Sequence, residues 1–366
     1  MTLGLYLVRR MLQVLGLVTA VLLCVIYLIE LVEVVRLFAG SDATMAQIAW
    51  LAALRAPAQL YEVFPLLMVL GSMFYFLGIA RSSELVVIRA SGRSALRLML
   101  EPILAVLLLG MLAVALLNPL IAMTTRLHQA QVMIMQDRET GLSFTVTGEE
   151  IWLRQGDPTG QTVIRASHAS DDGLRFRNVT FLHFERGTGR PLSRIEARDA
   201  RLGNGAWILE EARQWPLGVP NPEAAASSHD RMSLPTDLTP ERLRDSFARI
   251  GAVSVWALPE LITALDQAGL SSRAQRAALM RELSLPLMLV AMLMIGAMLT
   301  MRHARVARIA QILLITVLSG FGVFVAANFA LVLGEHGLIP LWLAVWSPPI
   351  ASILLATGLL LHLEDG

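Results

Sequence analysis

The sequence predicts an α-helical membrane protein with six transmembrane helices and one inserted antiparallel β domain, jelly-roll-like in type. Three observations carry this. Of the 366 residues, 55% are apolar and only 16% charged, where soluble domains carry about a quarter. Six stretches free of Asp, Glu and Arg are long enough to cross a hydrocarbon core of about 30 Å. Between the third and the fourth, continuous apolar runs give way to short alternating ones.

The six stretches are residues 11–29 (the helix continuing to about 35), 63–80, 103–125, 283–301, 309–334 and 337–361. Arg9 and Arg10 precede the first run, and no small-residue cleavage site stands before Glu30. The N-terminus therefore reads as a retained helix rather than a cleaved signal. Short connections on one side hold Arg9, Arg10, Arg81, Arg89, Arg93, Arg97, Arg302, Arg305 and Arg308; the other side holds only Arg36 and Arg55. Nine arginines against two place both termini in the cytoplasm, and the long insert outside the membrane. In a Gram-negative cell that means an inner-membrane protein with a periplasmic domain. The expected division is residues 1–125 for three spans with a cytoplasmic helix at about 82–97, 126–282 for the insert and its return helices, and 283–366 for the last three spans.

Within the insert, Glu150–Arg154 and Leu174–Arg177 alternate, while 179–184 slips register near Phe181-Leu182 as a bulge does. Stretches 195–200 and 206–211 predict further strands. Gly156-Asp-Pro158, Asp171-Asp-Gly173, Gly187-Thr-Gly189 and Gly203-Asn-Gly205 mark turns between them. After Trp215 the chain turns Pro-, Ala- and Ser-rich through Ser228, which predicts a linker. Residues 259–268 and 271–281 predict two short helices leading back to the membrane.

Composition excludes several functions. A net charge of +1 with 6% aromatics gives no basis for a nucleic-acid partner. Cys24 is the only cysteine, so neither an internal disulfide nor a Cys-based metal site is available. All 30 basic residues are arginine. A Walker A loop needs its lysine to reach the nucleotide phosphates, so any ATP and Mg are bound by a partner and this chain carries no cofactor.

The cytoplasmic connection reads Arg81-Ser-Ser-Glu-Leu-Val-Val-Ile-Arg-Ala-Ser-Gly92. Ser82 or Ser83 caps a short helix with Glu84 in its positive first turn. Leu85 and Ile88 share one face, and Gly92 ends it. Such a helix suits a groove on a cytosolic protein, and equally an interfacial helix with snorkelling arginines.

Together with Phe64-Pro-Leu-Leu and Leu70-Gly71, this block resembles the LptF/LptG family of lipopolysaccharide export permeases, and the likeness runs along nearly the whole chain. The short C-terminal end and the Ser-Glu-Leu-Val-Val core look more like LptG than LptF. The resemblance implies a non-enzymatic permease subunit that joins an LptF-like partner over an LptB-like ATPase dimer. It implies passage of lipopolysaccharide towards an LptC-like bitopic protein, an LptA-like bridge and the outer membrane. It also implies that Glu84, Leu85, Ile88, Arg89 and Gly92 contact the ATPase, with Glu84 at the acidic coupling position. The first and fifth spans are the family's lateral gates.

At the opposite membrane face, Glu30, Glu33 and Arg36 share one helix face by their spacing. Ionisable groups at this depth need partners or water, and arginine suits phosphate. Arg126, which matches a family arginine beyond the third span, is assigned to lipopolysaccharide contact. Arg36 is a lesser candidate, since the family often carries lysines here while this sequence has Val34 and Val35 beside it, and a simple Glu33–Arg36 pair also explains the spacing; Arg55, in a short amphipathic stretch outside the membrane, is another. Asn118-Pro119 and Asn328 are polar breaks that predict packing or hinges. Asp171-Asp172 and Glu210-Glu211 read as solvated acids, the latter pair on opposite strand faces. The seven histidines form no ligand-spaced set. Two other classes compete: a mechanotransmission-type permease, expected to have four spans, and a scaffold or sensor that moves no substrate.

Overall fold

A computed structural model describes residues 2–39, 43–81, 95–135, 143–147, 150–157, 160–170, 174–185, 189–203, 205–236, 238–239, 253–267, 271–300 and 309–365. Two compact units emerge, residues 1–128 with 277–366, and residues 129–276.

The first unit is a helical bundle. Its elements are α1 (Thr2–Leu37), α2 (Met45–Glu62), α3 (Phe64–Arg81), α4 (Ala95–Leu112), a π-helical turn (Ala113–Leu117), α5 (Asn118–Met135, its last turns passing into the second unit), α7 (Arg273–Thr300), α8 (Ile309–Glu335) and α9 (Leu341–Asp365). Among the described residues, six helical stretches are long and apolar enough to cross a membrane. At 1.5 Å per residue, α1 is about 54 Å long and outruns the hydrocarbon core, so Arg9 and Arg10 fall inside the helix rather than before it.

Thr44 starts α2 through a reciprocal capping box with Gln47. Ile48, Leu51, Ala52 and Ala56 are its buried face. The third span needs a different device. Pro119 has no N–H to give the Ala115 carbonyl, and its ring crowds that group. The π turn holding Ala115 takes up the misfit, and the helix continues to Met135. Nearby, Gly110 lets α4 reach α7, since a Cβ there would lie 2.6 Å from the Pro286 Cα.

Two expected boundaries shift. The sequence predicts a separate short helix over 271–281, yet α7 runs unbroken from Arg273 to Thr300, because no Gly or Pro interrupts it before Pro286. The sixth span begins at Leu341, not at 337. Gly337, with φ of 78°, closes α8 in a Schellman turn. Its N–H donates to the Gly334 carbonyl at 3.1 Å, and the Leu338 N–H donates to the Leu333 carbonyl at 3.0 Å.

The second unit is an antiparallel sheet of eight strands: β1 (Ser143–Thr147), β2 (Glu150–Asp157), β3 (Gly160–Ala166), β4 (His168–Ala169), β5 (Arg175–Glu185), β6 (Pro191–Leu202), β7 (Ala206–Pro216) and β8 (Ser227–Pro235). Its order is β1-β2-β3-β5-β6-β7-β8, with β4 on β5. Each long strand therefore pairs with its neighbour in sequence. The helix α6 (Leu258–Gln267) adds Leu265 to the sheet's core. That core centres on Trp207, whose ring lies 5.5 Å from Phe176 and 5.8 Å from Phe181. In a flat sheet β2 and β8 stand five strand spacings apart, about 24 Å. Yet Gln155 of β2 hydrogen-bonds Thr236, one residue past β8. The sheet is therefore folded over on itself around its apolar face.

The predicted linker ends early, since Ser227 and Ser228 already pair with Gln214 and Arg213. The register shift falls between His183 and Phe184 rather than at Phe181-Leu182. Glu210 and Glu211 are both exposed, because Glu211 adopts φ of 51° and breaks the alternation of faces.

Candidate functional site

Successive spans reverse direction, so the end of α1, the end of α2, the start of α3, the last turns of the third span and the start of the charge-free run of α7 meet at one end of the bundle. The charges assigned to lipid contact lie there, and they differ in how firmly they are held.

Arg36 pairs with Glu33 one turn earlier at 2.9 Å, with side chains 77% and 49% exposed. Such an exposed pair is worth about 0–1 kcal/mol, so Arg36 is only weakly held. Arg55 of α2 instead meets Glu30 of α1 at 3.3 Å, and the Glu30 side chain is only 8% exposed. Releasing Arg55 strands a buried carboxylate. The spacing that aligned Glu30, Glu33 and Arg36 thus separates into two pairs, because α2 crosses α1 beside Glu30. His128 of α5 lies within electrostatic reach of both Arg55 and Glu30, and its Nδ1 is 3.0 Å from the Leu51 carbonyl.

Arg126 differs from both. It is exposed, its Nε donates to the Ala122 carbonyl at 3.2 Å, and among the described residues no carboxylate pairs with it. Its terminal N–H groups remain for an anion. The coupling residues Glu84, Leu85, Ile88, Arg89 and Gly92 lie outside the described residues.

A further polar centre has no counterpart among the sequence expectations. The Tyr61 hydroxyl of α2 donates to Glu282 Oε2 of α7 at 2.6 Å. Asn118, just after the π turn, hydrogen-bonds both partners. Burial, then the charge of Glu282, pushes the Tyr61 hydroxyl above the ordinary phenol range, so it stays a donor. Three helices are pinned together here. The sequence signal was Glu282 standing immediately before a charge-free run, but its partner is 221 residues away. Asn118, expected to pack or hinge, does the former. Asn328 donates its amide to the Phe324 carbonyl at 2.9 Å within α8.

An almost wholly apolar cavity of about 550 Å³ lies between α1, the α2–α3 corner and the third span, lined by Leu15, Leu23, Leu60, Phe64 and Leu120. In the sheet unit, a cavity of about 350 Å³ sits on the inner face beside Trp207, with Gln155, Thr162, His183 and Thr236 around it.

Six membrane-length helices among the described residues, with an inserted folded sheet, define a multi-span membrane protein with a β domain between its third and fourth spans. The family described as lipopolysaccharide export system permease LptF/LptG matches residues 5–362, and the chain belongs to that family. No curated protein matches it individually. It is accordingly a permease of lipopolysaccharide export and a multi-pass protein of the inner membrane.

Proposed function

We propose that this chain is the LptG-like half of a heterodimeric permease that extracts lipopolysaccharide from the inner membrane, driven by a separate LptB-like ATPase pair. The family match over residues 5–362 carries the reading. Burial of the helices supports it. Only 6% of the apolar window of α1 and 17% of that of α8 is buried, against 78% for α7. The first and fifth spans are thus the least enclosed, with the third close behind at 22%, which leaves them open to lipid or a second subunit, as expected of lateral gates.

In this reading both termini are cytoplasmic, the sheet unit is periplasmic, and Glu84 with Leu85, Ile88, Arg89 and Gly92 receives the ATPase stroke. Arg126 meets lipid phosphate first, Arg36 second, by releasing Glu33. Arg55 ranks last, since Glu30 holds it. The sheet's folded apolar face offers acyl chains a path towards an LptC-like partner and an LptA-like bridge. Arg126→Ala should cut lipopolysaccharide crosslinking at this end about tenfold, the value of one charge-assisted hydrogen bond, while Arg55→Ala changes it less. Unchanged crosslinking in Arg126→Ala returns that residue to helix anchoring.

A further inference from the structure

A cavity of about 360 Å³ opens beside the Tyr61–Glu282 contact, between the α2–α3 corner and α7, α8 and α9. Its polar lining includes Glu62, Arg281 and Glu282, and its apolar lining includes Leu285, Met288 and Phe324. Glu62 and Arg281 are exposed, and among the described residues neither has a salt-bridge partner. Arg281 acts on Glu282 through space without a close ion pair, so charges of both signs line one pocket. Glu282 accepts from Tyr61 and Asn118, and an ionised carboxylate has about four acceptor positions, so capacity remains for a further donor.

The depth of these groups is fixed by the chain. Glu62 stands two residues before the second span, and Arg281 and Glu282 stand immediately before the charge-free stretch 283–300 of α7. That is the headgroup level of one leaflet, with the apolar lining continuing below it into the hydrocarbon. A simple anion is disfavoured there by two carboxylates, and a simple cation by Arg281.

We propose that this pocket binds an ethanolamine phospholipid, its ammonium on Glu62 and Glu282, its phosphate on Arg281, and an acyl chain along Leu285, Met288 and Phe324. The site is separate from the cargo contacts at Arg126 and does not rest on the ATPase-driven reading. Its role is to hold a resident membrane lipid against the corner that Tyr61, Asn118 and Glu282 pin together.

The test is native mass spectrometry of the chain, purified with whatever subunits accompany it, against phosphatidylethanolamine and phosphatidylglycerol of identical acyl chains. The expected result is one phosphatidylethanolamine adduct favoured about tenfold over phosphatidylglycerol. Glu62→Gln, at an exposed position, should bring that ratio close to one, and Arg281→Gln should weaken both adducts alike. Equal binding of the two lipids, a preference that survives Glu62→Gln, or displacement of the adduct by one equivalent of lipopolysaccharide overturns the proposal.

Discussion

Glu30 and Glu33 sit one turn apart on the same helix, yet their surroundings give them different work. Glu33 is half exposed and holds Arg36 in water, whereas Glu30 is buried and holds Arg55 of the next helix. Glu33→Ala should therefore cost less than about 0.5 kcal/mol. Glu30→Ala should cost about 1–2 kcal/mol, below the usual figure for a buried pair because the Arg55 left behind is 41% exposed. Thermal unfolding of the detergent-solubilised protein checks this, and equal effects of the two substitutions contradict it. At this scale the sequence was only partly legible. The types and spacing of Glu30, Glu33, Arg36 and Arg126 marked a charged helix end. Which acid held which arginine depended on Arg55 arriving from another helix. Tyr61–Glu282 was invisible for the same reason, being a contact between distant residues with no local pattern to announce it.

Elements were legible wherever a single physical signal dominated. A charge-free apolar run dictates a membrane helix because no backbone polar group can be left unpaired in lipid, and each of the six runs overlaps a helix of membrane-crossing length, though the sixth helix starts four residues inside its run. Gly203-Asn-Gly205 announced the turn between β6 and β7, where Gly205 takes φ of 81°. In contrast β8, Ser-Ser-His-Asp-Arg-Met-Ser-Leu-Pro, is mostly exposed and has no apolar alternation to betray it. Its strand form comes from pairing with β7, which is tertiary context rather than propensity. The sheet's stability is concentrated elsewhere, in Trp207 against Phe176 and Phe181. Trp207→Ala should destabilise this unit by about 3–5 kcal/mol. Limited proteolysis of the whole protein should then show faster cleavage within residues 129–276 than within the helices. A cleavage pattern identical to that of the wild type contradicts this assignment of the core.

For the molecule as a whole, the division of labour follows from what each part can bury. Helices α3 and α7 are largely enclosed and form the centre of the bundle, while α1 and α8 keep most of their apolar surface uncovered. An uncovered apolar helix costs nothing in lipid, so it remains available for a partner or a cargo chain. The chain's basic residues are all arginine, and without lysine it has no Walker A loop to draw on ATP itself. In the proposed reading, energy for pulling a lipid out of a bilayer enters from another chain, and Arg81–Gly92 is the segment proposed to receive it. The most direct measurement is to isolate the protein from its native membrane in mild detergent and assay the complex for a bound cytosolic ATPase. The account predicts that an ATPase is recovered with the wild type and that Glu84→Ala loses its association or its coupling to lipid release, with the permease still in the membrane. Isolation without any ATPase, or full export activity in Glu84→Ala, contradicts it.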